Sequence, residues 1–479
     1  MSGEGDSAPA RRVLIGPLDH GTEIAVLGAD QRELAAGYCT LEVSLVPGIY
    51  KFRVRAGTAV RDVLCSIEPG DTPLVLTELG VLIPSPIPVP GTRYANPDQL
   101  AIADRLATAD ALNEGEGGAL FIFVRDQGDR PEAGAAYPAN PAEGLSIQLE
   151  SSTGPRSIAL GEHASVTGSG SAGVCAGRNV HLRPGRHRLR FDAAADGTFE
   201  LSAVVCAGWQ TLVFVPIDFS GDAPRPGLAE AALFMRPLDE TGTLAERAAV
   251  VRAGEIARMN LVRRRPVITA EDVERLVVGR LLDPLQAICG AHLLLLAPEP
   301  DKPRIAAIVA KLKEAVPDHP DVAALSLRLG DTPAGSFAAP PMFVASWDLI
   351  VRAASTEHAL IPPGSLSEYC ATHLWGDGAY VLWHSPPDET WAVSGNTTRA
   401  LRTLRTLDDA RRAARRLVAE DGELAERARG SSLSPWENAL LDHLIADNET
   451  SADELARSLR VPRSALDSIS ATLATKLDE

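Results

Sequence analysis

Two pairs of residues have the spacing of metal ligands. Cys289 lies three residues before His292, and Cys370 lies three residues before His373. Residues three apart share one face of a helix, and two thiolates with two imidazoles can hold a tetrahedral zinc ion. However, 81 residues separate the two cysteines (370 − 289), and the first pair lies inside an apolar stretch. Because free cysteine is usually a small buried side chain, we expect both pairs to be structural and the chain to bind no metal or cofactor.

A second group of residues has the chemistry of acid–base catalysis, namely Asp348, His358, His373 and His384. A general acid or base must lie within hydrogen-bond reach of the proton that it moves, and the spacing of these residues along the chain does not provide that geometry. The sequence also lacks the GxSxG, GxxxxGK[ST], HExxH and QACxG patterns. We therefore predict that the protein is not an enzyme, with a hydrolase around residues 358–384 as the competing interpretation.

Three consecutive arginines form the candidate interaction or cleavage loop. Arg263, Arg264 and Arg265 precede Pro266 between two predicted helices. The chain as a whole carries a net charge of −17, which opposes general binding to nucleic acid or to anionic membranes. We therefore expect this loop to dock a protein partner or to be cut by one.

Length and composition predict a multidomain globular protein. The chain has 479 residues, of which 45% are hydrophobic and 23% charged, and domains usually contain roughly 150 residues. The polar and acidic first residues do not resemble a secretory signal. No apolar run approaches the ~20 residues of a membrane span. We therefore expect a cytoplasmic protein with no membrane partner.

The front half of the chain alternates polar and apolar residues, which predicts short strands. In the clearest strand, Tyr50, Phe52 and Val54 alternate with basic residues after the turn Pro47-Gly48. The pattern returns after Pro184-Gly185, at an offset of 137 (184 − 47), and Gly70 maps to Gly208 at an offset of 138 (208 − 70). The two offsets indicate an internal duplication. The alternative is two unrelated β segments, because Pro-Gly turns are common between strands.

We assign residues 11–80 and 119–220 to two tandem antiparallel β-sandwich modules, joined by a Pro-rich linker and a helix at 81–118. Many short strands with Gly and Pro turns favour this class. A Pro-Gly turn followed by an alternating strand resembles the PEGA-type modules.

Helical periodicity replaces the strand pattern over residues 227–395. Leu281–Leu296 is the most continuously apolar stretch and is predicted to be the core of the helices around it. Capping boxes at Thr243-x-x-Glu246 and Ser365-x-x-Glu368 mark two helix starts. We predict an irregular α-helical bundle.

Four blocks of this region look like a known group of proteins. They are Leu281–Leu296, Pro317–Gly330, Pro340–Val351 and Ile361–Trp383. They resemble uncharacterised bacterial proteins encoded beside caspase-like peptidases, and the resemblance covers residues 231–383. It implies a caspase-like peptidase as partner, in a bacterial stress or defence system, and it assigns no catalytic residues.

The last part of the chain is predicted to be helical. Residues 397–429 form an Arg-rich helix, which is either a solvated face or a surface for an acidic partner. Residues 431–479 resemble a helix-turn-helix domain of three helices, with core positions at Leu455, Ala456, Leu459, Val461 and Leu466. This segment has a net charge of −5 (4 − 9), which would repel phosphates. We therefore favour protein docking over DNA binding here.

Together these patterns predict a multidomain α and β protein that acts as a non-enzymatic adaptor or regulator through protein–protein interaction. A caspase-like peptidase is the expected partner, which the chain would regulate or which would cleave it. The alternative is a transcription regulator that binds DNA through residues 431–479.

Overall fold

The structure is a computed structural model. It describes residues 9–385 apart from gaps at 20, 110, 128–138, 150–155, 168–172, 194–195, 220–223, 241, 269–272, 275–280, 332–334, 355–356, 363 and 376–377, and then residues 435–446, 452–461, 466, 469, 470 and 473. The chain divides into two compact units. Unit 1 comprises Met1–Ala142, His163–Pro184 and Val205–Pro317, and unit 2 comprises Glu143–Glu162, Gly185–Val204 and Asp318–Glu479.

The first β module lies in unit 1. Its strands are β1 Arg11–Ile15, β2 Glu23–Leu27, β3 Glu33–Tyr38, β4 Leu41–Leu45, β5 Gly48–Ala56, β6 Ala59–Ile67 and β7 Leu74–Leu76. They form one sheet in the order β4-β1-β7 and another in the order β3-β2-β5-β6. One hydrophobic cluster takes side chains from both sheets, among them Val13, Ile24 and Phe52.

The alternation read from β5 is confirmed by burial. Tyr50, Phe52 and Val54 are buried, whereas Lys51 and Arg53 on the other face remain partly exposed. Successive side chains of a strand point to opposite faces. The apolar face of β5 therefore contributes to the hydrophobic cluster, and its basic face lies on the outside of the four-stranded sheet.

The second set of strands is divided between the two units. These strands are β8 Leu112–Asn113, β9 Gly118–Arg125, β10 Leu145–Leu149, β11 Arg156–Ala159, β12 Ser165–Thr167, β13 Cys175–Leu182, β14 Gly185–Asp192, β15 Thr198–Val205, β16 Trp209–Asp218, β17 Arg225–Pro226, β18 Ala232–Pro237 and β19 Leu382–Ser385. Unit 1 holds a sheet in the order β12-β13-β9-β16-β17, in which β18 also pairs with β16 and β8 with β13. Unit 2 holds a sheet in the order β11-β10-β14-β15-β19.

The two sets of strands have the same order and register, as an internal duplication predicts. The orders β4-β1-β7 and β3-β2-β5-β6 of the first set recur as β13-β9-β16 and β11-β10-β14-β15 in the second. The strand partners are Val43 and Leu74 for Val13, and Val180 and Thr211 for Leu120. Each partner in the second set is numbered 137 higher than its counterpart in the first set (180 − 43 and 211 − 74), which is the offset found in the sequence.

The prediction that the modules are antiparallel throughout is wrong at two equivalent places. Strand β7 runs parallel to β1, and β16 runs parallel to β9. In the first set the hairpin β5–β6 precedes β7, which returns to the sheet of β1. In the second set the hairpin β14–β15 precedes β16, which returns to the sheet of β9. This connection crosses from one sheet to the other, and a crossover is what allows two strands to lie parallel.

The described part of the chain contains ten α-helices, one of which was predicted to begin at Thr243 and begins at Ala248. They are α1 Pro97–Thr108, α2 Leu160–His163, α3 Ala248–Val262, α4 Pro284–Leu295, α5 Lys302–Ala315, α6 Pro320–Leu329, α7 Val344–Ala354, α8 Leu366–His373, α9 Pro435–Ala446 and α10 Ala452–Leu459. Asn96, Asp283 and Asp301 cap α1, α4 and α5 by accepting from backbone N–H groups, and each of these helices has a proline in its first turn. Helix α1 ends at Thr108, and Leu112–Asn113 pairs with β13.

Each unit has its own helical core. In unit 1, α1 and α3 pack on Phe121, Phe123, Phe214 and Phe234 of the sheet. The apolar stretch at Leu281–Leu296 forms α4, which is buried around most of its circumference. In unit 2, helices α6 to α10 contribute to a single hydrophobic cluster.

Several predicted elements lie outside the described residues. They are the Arg-rich helix at 397–429, the start of the helix near Thr269, and most of the third helix of the C-terminal segment. Among the helices that the structure does describe, none has the length and apolar character needed to cross a membrane.

Candidate docking surface

The candidate loop Arg263–Arg265 follows directly after α3. The side chains of Arg263 and Arg264 are exposed, whereas Arg265 forms an ion pair with Glu23 of β2. The backbone is held in place, since Arg263 N donates to Met259 O at 3.1 Å and Arg265 N donates to Asn260 O at 2.9 Å. The loop therefore presents two cations from a hydrogen-bonded helix end.

Helix α3 fixes this loop against the first β module. A Cβ atom on Gly57, in the β5–β6 turn, would lie 2.3 Å from Met259 Cβ. Only glycine permits this close approach, and Gly57 also has a φ of +58°, which other residues rarely adopt. Asn260 Nδ2 donates to Gly21 O at 3.4 Å. The arginine loop thus lies at the end of the four-stranded sheet where β5 turns into β6.

The outer face of the β5–β6 hairpin, within the four-stranded sheet, is both basic and apolar. In the register of the hairpin, Lys51, Arg53 and Arg55 of β5 lie opposite the outward residues Leu64, Asp62 and Val60 of β6. Arg53 donates two hydrogen bonds of 2.8 Å to Asp62, which lower the pKa of that carboxyl. Leu64 is 72% exposed and Val60 54% exposed. Across this hairpin the outer face therefore carries three cations and one carboxylate, with apolar side chains open to solvent at its edge.

The predicted structural role of the Cys–His pairs agrees with their positions. Cys289 and His292 are buried in α4 of unit 1, and Cys370 is fully buried in α8 of unit 2. Burial raises the pKa of the Cys370 thiol well above its ordinary value, which disfavours the thiolate that a metal would need. Among the described residues, no group of three or more His, Cys, Asp or Glu side chains has an arrangement that could hold a metal ion.

The candidate acid–base residues have separate partners. His384 Nε2 lies 2.5 Å from Asp196 O, and its ring is 4.6 Å from the ring of Phe199. The ring of His373 stacks on Tyr369 at 4.0 Å. Asp348 forms an ion pair with Arg460 at 3.6 Å, and the side chain of His358 lies outside the described residues. The three described side chains therefore contact different partners.

Asp283 is a buried acid that caps α4. Its Oδ1 accepts from Leu285 N at 2.9 Å and from Met235 N, on β18, at 3.1 Å. Burial raises the pKa of Asp283 to about 7, although these backbone N–H groups act in the opposite direction. A perturbed carboxyl can mark an active site, but here both hydrogen bonds hold a helix end against a strand. Its role in this position is structural.

Asp321 and His319 form a second buried polar group, in unit 2. Asp321 accepts from Met342 N and Phe343 N at 2.9 Å each, and His319 Nδ1 lies 3.3 Å from Asp321 Oδ2. Burial would raise the pKa of Asp321, but the interactions with His319, Met342 N and Ser346 together outweigh it, so the pKa lies below its ordinary value. This group ties the start of α6 to the segment that precedes α7.

The C-terminal helices pack into the hydrophobic cluster of unit 2. Leu455, Ala456, Leu459, Val461 and Leu466 are buried, as predicted for core positions.

Helix α10 ends at a left-handed residue. Arg460 has a φ of 57°, and Val461 N donates to Ala456 O at 3.0 Å. This hydrogen bond is the one that closes a Schellman motif.

The sequence analysis missed the outward apolar residues of β6. Val63 and Ile67 pack on the inner face of this strand, whereas no role was assigned to Val60 and Leu64 from the sequence. The adjacent pair Val63-Leu64 breaks the expected alternation. An apolar residue on the outer face of a strand is the signal that could have revealed this surface.

Comparison with known proteins identifies no relative. No protein-family model matches the chain, and no curated protein matches it. Among solved structures, a leucine-rich repeat protein from Bacteroides thetaiotaomicron VPI-5482 aligns at 11% identity with a TM-score of 0.11. The alignment covers 42% of this chain and 24% of that protein, and the likeness is too small to carry an argument about fold or function.

Proposed function

We propose that the protein is a non-enzymatic adaptor or regulator that binds a caspase-like peptidase through unit 1, in a bacterial stress or defence system. The single observation that carries the proposal is the basic and apolar surface formed by Arg263, Arg264 and the outer face of the first β module. Exposed apolar side chains beside arginines are typical of protein interfaces. The β-sandwich modules that the sequence predicts commonly serve such a role.

The loop geometry favours docking over cleavage. A peptidase binds its substrate as an extended segment, and preferred cleavage sites are mobile loop tips. Here the N–H groups of Arg263, Arg264 and Arg265 all donate to carbonyls of α3. Cleavage would require these hydrogen bonds to break, whereas a docking partner could contact the arginines in their observed conformation.

A binding experiment tests the proposal. Purified chain is immobilised and mixed with a caspase-like peptidase of the bacterial type that the resemblance implies, using wild type and the double variant Arg263→Ala/Arg264→Ala. We expect the wild type to retain the peptidase and the variant to bind about tenfold more weakly, since each exposed charge contact contributes roughly 0.7 kcal/mol.

The control replaces two exposed arginines elsewhere, Arg32→Ala/Arg328→Ala, and should bind as the wild type does. If the wild type neither retains the peptidase nor is cut by it, the proposal is wrong. Cleavage within residues 263–265 would make the chain a substrate.

DNA binding by residues 431–479 is the second candidate. It is favoured by the tight turn at Arg460 after α10, which occupies the place of the turn in a helix-turn-helix. The net charge of −5 (4 − 9) of the segment opposes it. Binding of a labelled duplex that weakens as salt rises would support this function, and no binding at low salt would eliminate it.

A further inference from the structure

Strand β6 of the first module and strand β15 of the second occupy equivalent places. Each is the second strand of a hairpin, and each lies at the same position in the matched orders β3-β2-β5-β6 and β11-β10-β14-β15. Leu64 and Ser202 correspond at an offset of 138 (202 − 64), the offset that also relates Gly70 to Gly208. The way in which the edge of β15 is paired therefore indicates what could pair with the edge of β6.

The edge of β15 is covered by another strand of the same chain. Strand β19 pairs with it in antiparallel direction, with Thr198 opposite Ser385 and Leu201 opposite Leu382. Beyond this ladder, Ser202 N donates to Val381 O at 3.2 Å. The outer face of β15 is covered as well, since Ser202 Oγ contacts Pro340 O at 3.4 Å and the Arg188–Glu200 pair is only 11% and 8% exposed.

The equivalent edge of β6 carries no strand. In the described part of the chain, β5 is its sole sheet neighbour. The ion pair between Asp62 and Lys51, which corresponds to Glu200 and Arg188, lies open on the surface. Leu64, which corresponds to the covered residue Ser202, is 72% exposed. An uncovered edge with apolar side chains is a template for pairing with another chain.

The backbone of β6 is oriented for such pairing. Ala56 and Ala59 pair across the two-residue turn Gly57-Thr58, and in such a hairpin the flanking residues bond to each other and every second residue points away. The N–H and C=O groups of Val60, Asp62 and Leu64 therefore face the open edge. Their equivalence to Ser202, which bonds to β19, supports this assignment.

We propose that β6 accepts, as an antiparallel neighbour, an extended segment of a partner protein that has apolar residues opposite Val60 and Leu64 and acidic residues at its C-terminal end. The inference rests on the proposed adaptor function and gives its mode of docking. Addition of a strand to a sheet edge obtains affinity from main-chain hydrogen bonds and specificity from alternate side chains.

The positive charge beside the Gly57-Thr58 turn indicates which end of the bound segment should be acidic. An antiparallel neighbour of β6 ends beside the Gly57-Thr58 turn, which is where α3 places Arg263 and Arg264. Arg55 lies opposite Val60 at the same end of the sheet. Arg265 is paired with Glu23, and Arg55 and the exposed Arg263 are two cations at this end that acidic residues would meet.

A fluorescent peptide tests the docking mode on the full chain. In this peptide valine alternates with threonine and glutamates follow at the C-terminal end, and binding is measured by anisotropy. We expect binding that falls at least about tenfold when alternate peptide amides are N-methylated, because that loss corresponds to about 1.4 kcal/mol of main-chain hydrogen bonding. A peptide with lysines in place of the glutamates should also bind more weakly.

Matched variants locate the site. Leu64→Lys puts a charge on the edge and should weaken peptide binding about tenfold, whereas Val75→Lys, at a side chain 55% exposed on β7, should not. Circular dichroism verifies that both variants are folded. Binding that survives both N-methylation and Leu64→Lys would overturn the inference, and so would a lack of binding by the wild type.

Two further outcomes separate this inference from the others. If sedimentation shows a dimer that Leu64→Lys dissociates, the edge pairs with a second copy of the chain and the assigned occupant is wrong. If Leu64→Lys retains the peptidase as well as the wild type does, the adaptor function stands and docking through β6 is wrong. If the chain binds the peptide but does not bind the peptidase, docking through β6 stands and the proposed adaptor function is wrong.

Discussion

At the scale of single residues, Asp283 shows how a local sequence signal and a long-range contact combine in one side chain. Asp283 lies inside the most apolar stretch, next to a proline that begins a helix. The sequence predicts its capping role, because Asp before Pro at a helix start is a common N-cap. It does not predict the bond from Met235 N, 48 residues away. The burial that raises its pKa depends on that long-range contact.

We predict that Asp283 makes the protein less stable as pH rises. Its pKa is about 7 in the folded chain and roughly 3.9 when unfolded, so its stabilising contribution is complete below the unfolded value and is lost as pH rises through 7. Asp283→Asn keeps the Oδ1 acceptor and cannot ionise. Urea unfolding at pH 8 should show the variant more stable by on the order of 2–4 kcal/mol.

The control for this prediction is Asp301→Asn, at the exposed N-cap of α5. Asp301 accepts from Arg304 N in the same manner, but its side chain is 40% exposed. We expect its effect to be small and to show no rise between pH 5 and pH 8. If Asp283→Asn has no more effect at pH 8 than at pH 5, Asp283 is already ionised without cost and the account of its burial is wrong.

At the scale of the elements, the turn after α10 carries the clearest local strain. Arg460 adopts a left-handed conformation, which costs a non-glycine residue roughly 1 kcal/mol. Its side chain forms an ion pair with Asp348 of α7, and partly exposed pairs of this kind contribute little. A glycine at this position would have the conformation that the turn requires.

We predict that Arg460→Gly is more stable than Arg460→Ala by about 1 kcal/mol. Both variants lose the ion pair, so their difference measures the strain of alanine less the larger conformational entropy that glycine loses on folding. At Arg457, inside α10, the order should reverse, since alanine stabilises a helix by about 1 kcal/mol relative to glycine. Thermal unfolding monitored by tryptophan fluorescence measures both pairs. Equal stability of the two Arg460 variants would contradict the left-handed turn.

Local signals predicted the elements well and their pairing less well. Proline and capping residues marked the starts of α1, α4 and α9, and the alternation of β5 gave its buried face. Sequence patterns do not determine which strands become neighbours, because pairing depends on contacts between distant residues. The parallel pairs β1–β7 and β9–β16, and the pairing of β15 with β19 from residue 382, were therefore not predicted.

At the scale of the whole molecule, the duplication is the feature that organises the chain. The strand order repeats, but the surroundings of the two copies differ. Strand β15 is covered by β19, while the equivalent strand β6 is open in the described chain. The offset of 137 could be read from the Pro-Gly turns alone. The difference in covering could not, since it depends on where residues 340–385 pack.

The C-terminal helices are predicted to be essential to the core of unit 2. Leu440, Leu444 and Leu455 pack in the same hydrophobic cluster as Trp347 and Trp383. A chain that ends after residue 434 should expose this cluster. We expect a red-shifted tryptophan emission and increased binding of a hydrophobic dye, because tens of square ångströms of apolar surface per side chain become accessible to water.

A chain that ends after Leu473, the last described buried residue, is the matched control. It keeps the packed side chains and should have the emission of the full chain. If removal of residues 435–479 leaves the emission and the unfolding transition unchanged, the C-terminal helices form an independent domain. That outcome would revive the DNA-binding alternative.

The most direct measurement of the docking account is hydrogen–deuterium exchange of the full chain with and without the caspase-like peptidase. We predict slower exchange in β6, whose alternate amides would gain acceptors, and in the loop at Arg263–Arg265, with little change in β7. Protection confined to other regions, or no change when the peptidase is in excess, would contradict the claim that unit 1 docks a protein partner.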